Sequence, residues 1–298
     1  MSSHGRAPPL EVDTPDIGFQ AGFGFYLGVV VVGVAAIAGL AADVSTATLL
    51  GVLPTALTVV TIAGHVIARR SHGLPERIGR SRWRRAACYV PPLAFAVTLF
   101  AATFELIDPG TRIYLVTVVF ALLSAPAAYG IDRMSRNRYV EAATADEPVA
   151  TWQYHPVGLL SGRTSFTVVV GLLIGLGILG ALLGRLRALL WPVYGVVMLV
   201  STRLGRRNAA DSSGRWNVPT LRAHRAGLVV QRPFARTLLP WDAIEDVRLT
   251  DDELVLERRR RFDLHCDRDP IDDPEAVCEA IERTRAGTVD PIGASSSV

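Results

Sequence analysis

Six apolar stretches, each nearly or wholly free of charge, occupy most of residues 17–202, and a charged tail follows them. This pattern constrains the fold more than any motif in the chain. A helix needs about 20 predominantly apolar residues to cross the ~30 Å hydrocarbon core of a bilayer. The runs at 19–42, 44–68, 86–104, 113–131, 165–184 and 188–202 meet or approach that length, the last being the shortest. Backbone polar groups have no partner in lipid, so each run is expected to be helical. Only 20% of the 298 residues are charged, below the quarter typical of soluble domains. The runs leave room for one small soluble domain.

The connections between runs sort by charge. The segment 69–85 carries seven arginines against Glu76, the segment after the fourth run carries Arg133, Arg136, Arg138 and Arg163, and Arg203, Arg206 and Arg207 follow the sixth. The alternate connections are short: Asp43, then 105–112, then 185–187. Basic residues accumulate on the cytoplasmic side, so both termini are expected there, with three tight hairpins facing out. Arg185 and Arg187 on the outer side run against the pattern. The first run has no clear small-residue cleavage site and reads as a retained span. The arginines of 69–85 also allow contact with anionic lipid, but setting the topology is explanation enough.

The net charge of +3 hides a split: residues 22–213 carry 17 arginines against 9 acids, whereas 214–298 carry 13 against 16. The basic balance therefore belongs to loops between apolar runs, which argues against a nucleic-acid-binding face. All 31 basic residues are arginine, which fits an archaeal or high-GC prokaryote, and the acidic lysine-free tail also fits a salt-adapted organism. Cys88, Cys266 and Cys278 form no C-x-x-C pair, and the six histidines lack metal-ligand spacing.

No acid or arginine lies mid-span, which counts against a charge-selective channel or proton-coupled pump. His65 sits near a span end, as do Asp108 and Asp132. Hydrolase, metalloprotease and phosphate-loop motifs are missing. The chain is therefore expected not to be an enzyme, with no catalytic, cofactor-binding or metal-ligating residues and no cofactor. Gly24-x-x-x-Gly28, Gly171-x-x-x-Gly175 and Gly180-x-x-x-Gly184 are expected to pack helices closely. Pro54, Pro91, Pro92, Pro126 and Pro192 are expected to kink helices whose neighbours re-satisfy the freed backbone groups.

After Gly205 the texture changes. Short runs of strand type follow at 218–224, 228–232, 236–241, 244–249, 253–258 and 261–265, with turns at 225–227 and 251–252. Their alternation suits antiparallel hairpins with one buried face. Asp273 can cap a closing helix that begins at Pro274, carries Val277 and Ile281 on one stripe, and ends at Gly287. The segment 141–163, with Trp152 and Tyr154, reads as a cytoplasmic connector at the membrane surface. Arg258–Arg261 allow a head-group or partner contact, although the acids at 251–253 and 257 favour a solvated turn.

Gly227-Leu228-Val229-Val230, Pro233, Leu238-Leu239-Pro240-Trp241, Ile244 and Val247 resemble the core of the bacterial PH-domain family. Residues 147–156 resemble the lead-in such domains have before a membrane hairpin, so the likeness extends over about 140 residues. It implies a small β-barrel or sandwich plugged by one helix, placed after a membrane hairpin, with no catalytic set to carry over. The expected organisation is a cytoplasmic segment 1–18, a six-helix transmembrane region 19–204, a linker 205–214, a cytoplasmic PH-like domain 215–287 and a disordered tail 288–298. The expected fold is thus a membrane helical bundle plus this domain, in the cell membrane. Its expected partners are the lipid bilayer and a protein partner or a second copy, but not nucleic acid. The expected role is docking or assembly at the membrane. The alternative is a transporter or channel for a neutral or lipid-like solute, regulated by the PH-like domain.

Overall fold

Asp16 starts the first helix by accepting the Phe19 N–H at 2.7 Å, and α1 runs over Ile17–Ala41. Ser45 likewise caps α2, Thr46–Arg70, accepting from Thr48 at 3.1 Å. Short polar side chains satisfy the first free N–H groups in this way. The computed structural model describes residues 14–153, 163–196, 199, 219–232, 235–259, 263–269, 271 and 273–289. It divides into two units, 1–143 and 144–298.

In the first unit, α3 (Leu74–Arg80) and α4 (Arg82–Ala87) follow α2, then α5 (Val90–Thr103) and α6 (Gly110–Ala143). The α1 helix packs against both α2 and α6, while α3 and α5 pack on α6. A core of Phe19, Tyr26, Ala68, Ile78, Ala128 and Ile131 joins them. The close approach of α1 and α2 depends on glycine. A Cβ on Gly24 would lie 2.4 Å from the Thr61 carbonyl oxygen, and one on Gly64 would lie 2.8 Å from the Gly24 Cα. On the outer side of α2, Leu50 is 69% exposed and Val59 and Ile62 each 59%. Within this unit that apolar face is left uncovered by the described residues.

Among the described residues three helices, α1, α2 and α6, are long and apolar enough to cross a membrane. The other expected spans come out differently. The run 86–104 is divided: α4 stops at Ala87, and α5 begins at Val90 and has 14 residues, about 21 Å at 1.5 Å per residue. Pro91 and Pro92 occupy its first turn, where a missing N–H is tolerated, so the helix restarts there. The fourth run, by contrast, continues past its apolar part, and α6 extends through Asp132, Arg136 and Arg138 to Ala143. Pro54 and Pro126 both lie inside continuous helices.

The second unit holds the fifth run as α7, Arg163–Leu182, then a 3₁₀ turn, Leu186–Leu189, and helical residues 190–196. Most of the remainder of the sixth run lies outside the described residues. Here the glycine expectation needs correction. Gly171, Gly175 and Gly184 have nothing within 4 Å of a built Cβ, whereas one on Gly177 would meet Pro192 at 2.1 Å and one on Gly180 would meet Ala188 at 2.5 Å. Which glycines face a neighbour depends on helix rotation, and spacing alone does not fix it.

The β-rich part has two antiparallel sheets. One has the order β1-β2-β3-β4, from Ala150–Gln153, Thr220–His224, Gly227–Arg232 and Ala235–Pro240; the other is β5-β6-β7, from Ile244–Leu249, Glu253–Arg258 and Leu264–Asp267. The closing helix α8, Pro274–Val289, contacts β1, β2 and β5. Asp273 caps it, Oδ1 accepting the Ala276 N–H at 2.9 Å. Leu221, Leu228, Val230, Trp241, Leu254, Leu256 and Ile281 share one core with Trp152. Gly227 sits at φ 145°, where a Cβ would lie 2.2 Å from the Leu239 carbonyl oxygen, so only glycine fits the turn into β3.

Details of register depart from the alternation read in sequence. A bulge between Ile244 and Asp246 lets Ile244 and Val247 both face inward, which accounts for their odd spacing. The last strand is Leu264–Asp267, later than 261–265, and it turns Leu264 and Cys266 inward. Phe262 lies outside the described residues. The helix runs past Gly287 to Val289, because nothing within 4 Å and no positive φ singles that glycine out as a terminator. The main revision is β1. The segment read as a surface connector supplies an edge strand, paired Ala150↔Ala223 through Gln153↔Thr220.

Candidate functional site

The side chains of β1 alternate. Trp152 turns into the core and is 4% exposed, while Thr151 and Gln153 face outward. Because β1 ends the sheet order, its second edge pairs with no strand among the described residues. A groove of about 620 Å³ lies between this strand and α8. Val149, Ala150, Ile271, Ala276, Val277 and Ala280 form much of its lining. Thr151, Gln153, Thr220 and Asp273 supply the polar part. The small Ala276 and Ala280 keep it open on the helix side. The indole of Trp152, which also lines the groove, is buried with the Cys266 thiol as its polar neighbour. An exposed strand edge beside a groove of mixed apolar and polar lining can accept an extended chain by strand addition.

A polar latch holds the start of β1. Asp146 Oδ2 accepts the Arg225 N–H at 2.9 Å and Oδ1 lies 3.2 Å from His224 Nδ1. Trp241 closes the same turn from within, donating to the carbonyls of His224 and Arg225, each at 3.1 Å. Burial works to raise the Asp146 carboxyl, but the Arg225 N–H and the His224 ring outweigh it and hold the group below the usual carboxylate range. A depressed folded value contributes stability above the unfolded pKa of about 3.9, and that contribution is lost as pH falls through the folded value. We expect thermal unfolding of this domain, followed by tryptophan fluorescence in detergent, to lose stability on acidification below about pH 4. The Asp146→Asn chain should lose less over the same window. Identical acid limbs in the two proteins would show that the latch carries no charge-dependent stability.

A second polar cluster lies in the first unit. Asp132, 6% exposed, receives Arg136 at 2.9 Å, the Tyr89 hydroxyl at 3.3 Å and Arg85 at 3.8 Å. Glu76 Oε2, Ser135 Oγ, Asp132 Oδ1 and the Nε atoms of Arg85 and Arg136 are buried without hydrogen-bond partners among the described residues. Gly79 brings α3 against α6 here, with a Cβ position 2.1 Å from the Ser135 carbonyl oxygen. Asp16 joins the same end of the unit, accepting Arg138 at 2.7 Å while it caps α1. The sequence places Asp132 at a span end without a partner. Only the fold brings it two arginines, from α4 and from the next turn of α6.

Other residues weighed in the sequence fall outside both sites. Arg258 takes part in the β6–β7 turn, its N–H donating to Asp263 at 3.0 Å, and Arg259 lies 3.7 Å from Glu245 on the surface. Arg260 and Arg261 are outside the described residues. His65 contributes backbone to the α1–α2 contact opposite Gly24. Cys266 is a core residue whose thiol burial pushes up to about 12, and burial also raises that of Cys278. Both behave as small apolar groups rather than nucleophiles. Among the described residues no set of three or more His, Cys, Asp or Glu side chains could hold a metal ion.

Residues 218–286 match the family model of the bacterial PH domain. That span holds β2 to β7 and most of α8, and leaves β1 outside it. Neither a curated protein nor a solved structure matches the chain. The C-terminal region is therefore a sheet domain of PH type, and it follows a helical N-terminal part.

Proposed function

We propose that this chain is a non-enzymatic integral membrane protein whose PH-like domain docks a protein segment at the cytoplasmic face. Six helices in three hairpins cross the cell membrane, and both termini lie inside. Membrane-length α1, α2 and α6 support the placement, and the arginine-rich connections support the orientation. One observation carries the docking role: the open β1 edge borders a groove of about 620 Å³ with a mixed apolar and polar lining. That volume is ample for side chains of an extended segment. A segment laid along β1 would take main-chain hydrogen bonds from the edge and place alternate side chains over Ala276 and Ala280. The segment belongs to another protein or to a second copy.

The test is crosslinking in native membranes followed by affinity purification. The full chain should return a discrete partner or a dimer, and both Ala276→Arg and truncation after Arg207 should abolish it. Return of monomer alone from the full chain, or retention of the partner by Ala276→Arg, would remove the docking role. Sidedness is read separately. Protease added to sealed right-side-out cells should spare the C-terminal domain, and digestion there would overturn the orientation.

A further inference from the structure

The stretch joining α2 to α5 contains more order than a topology signal requires. It folds into α3 and α4, and α3 is two-faced. Pro75, Glu76, Ile78 and Gly79 turn inward, while Arg77 and Arg80 are exposed. The inward face removes Glu76, the sole acid of the segment, from the surface at 6% exposure. Arg85 also turns in, toward Asp132. What remains outside is Arg69, Arg70, Arg77, Arg80, Arg82 and Arg84, all exposed. None of these six side chains has a carboxylate or hydrogen-bond partner among the described residues. Between Arg82 and Arg84 stands Trp83, 86% exposed. The outer surface of α3–α4 is thus purely cationic with one indole set into it.

From this we infer that α3 and α4 form a docking surface for anionic phospholipid head groups of the bilayer that the chain spans. The charge requirement is met by phosphate, and guanidinium groups suit it because they present planar donor pairs. The indole explains the choice of a lipid surface over a soluble anion. An amphipathic ring is stable at the head-group level, with its apolar body against acyl chains and its N–H in the wet layer. Topology alone needs only the number of positive charges. It does not need the acid folded inward, nor an exposed tryptophan between two arginines.

This inference rests on the cytoplasmic placement proposed above, and sidedness is decided by the protease measurement independently of lipid preference. The test places the full chain in nanodiscs containing brominated phosphatidylglycerol or brominated phosphatidylcholine at equal mole fraction. The contribution of Trp83 is isolated by difference from Trp83→Phe. Quenching of Trp83 by the anionic lipid should exceed that by the neutral lipid at least twofold at low salt. The excess should shrink as salt screens the charges. The triple change Arg80→Gln, Arg82→Gln, Arg84→Gln should abolish the excess, while lysine at the same three positions, which preserves charge and insertion, should keep most of it. Equal quenching by the two lipids, an excess that survives the glutamine changes, or no quenching of Trp83 by either lipid would each overturn the proposal.

Discussion

Replacing Trp152 with alanine is expected to cost the PH-like domain about 3–5 kcal/mol, the range for removing a large buried aromatic side chain. Whole domains are stable by only about 5–15 kcal/mol, so this single change approaches the limit of what the fold tolerates. Two effects act together. The indole is a member of the core shared by Leu221, Leu254 and Cys266, and its loss opens a cavity there. It is also the inward anchor of β1, whose neighbours Thr151 and Gln153 face outward and hold little. Without it the edge strand should detach from β2 and leave the backbone of β2 as the new edge. The measurement is urea or thermal unfolding in detergent, followed by the fluorescence of buried Trp241 and by hydrogen exchange along β2. A companion experiment uses residues 215–289 alone, which cover the family match but omit β1. That fragment should be poorly structured, and fusing residues 146–153 to it should restore cooperative unfolding. Unchanged stability in the Trp152→Ala chain, with β2 amides still protected, would show that β1 is not part of this domain.

The second large effect concerns the contact of α1 with α2. Gly24→Leu is expected to prevent these helices from packing, giving protein that aggregates or is degraded after insertion. The reason is that the obstacle is backbone. A Cβ at 24 would meet the Thr61 carbonyl oxygen at 2.4 Å and the His65 nitrogen at 2.9 Å, neither of which moves without shifting the helix. Overpacking costs typically about 1–3 kcal/mol when side chains can yield, and here they cannot. Gly28 gives the graded comparison, because its first neighbours are the side chains of Thr61 and Leu57. Gly28→Ala should be tolerated better than Gly24→Ala. Gly171→Ala and Gly175→Ala, with open space on both, should leave folding unchanged. The readout is the monodisperse fraction in detergent by size exclusion, at matched expression. Equal behaviour of Gly24→Ala and Gly171→Ala would dismiss the close-packing account.

These two comparisons also mark where the sequence is legible and where it stops. The spacing of small residues is identical at 24/28 and at 171/175, yet only the first pair touches a neighbour. A helix offers several faces, and the one that becomes an interface depends on all helices packed around it. The strands between 220 and 258 were legible because alternation is a local consequence of a strand having two faces. By contrast, β1 was not. Four residues with one inward side chain carry too little pattern, and its partner β2 lies about 70 residues along the chain. The groove was hidden for the same reason, since it exists only between β1 and α8. Asp132 was visible as a charge near a span end, but Arg85 reaches it from another helix.

Local chemistry therefore settled which segments are oil-like, the strands between 220 and 258 and the Asp273 cap of the closing helix, because each depends on neighbours within a few residues, while the PH type of the C-terminal region rests on its resemblance to that family. Tertiary structure alone decided that Trp152 belongs to that domain, that Gly24 rather than Gly171 is a contact point, and that Glu76 leaves the surface while six arginines remain on it. Those outcomes are set by which faces are covered when distant segments meet, a quantity that periodicity along one segment does not contain.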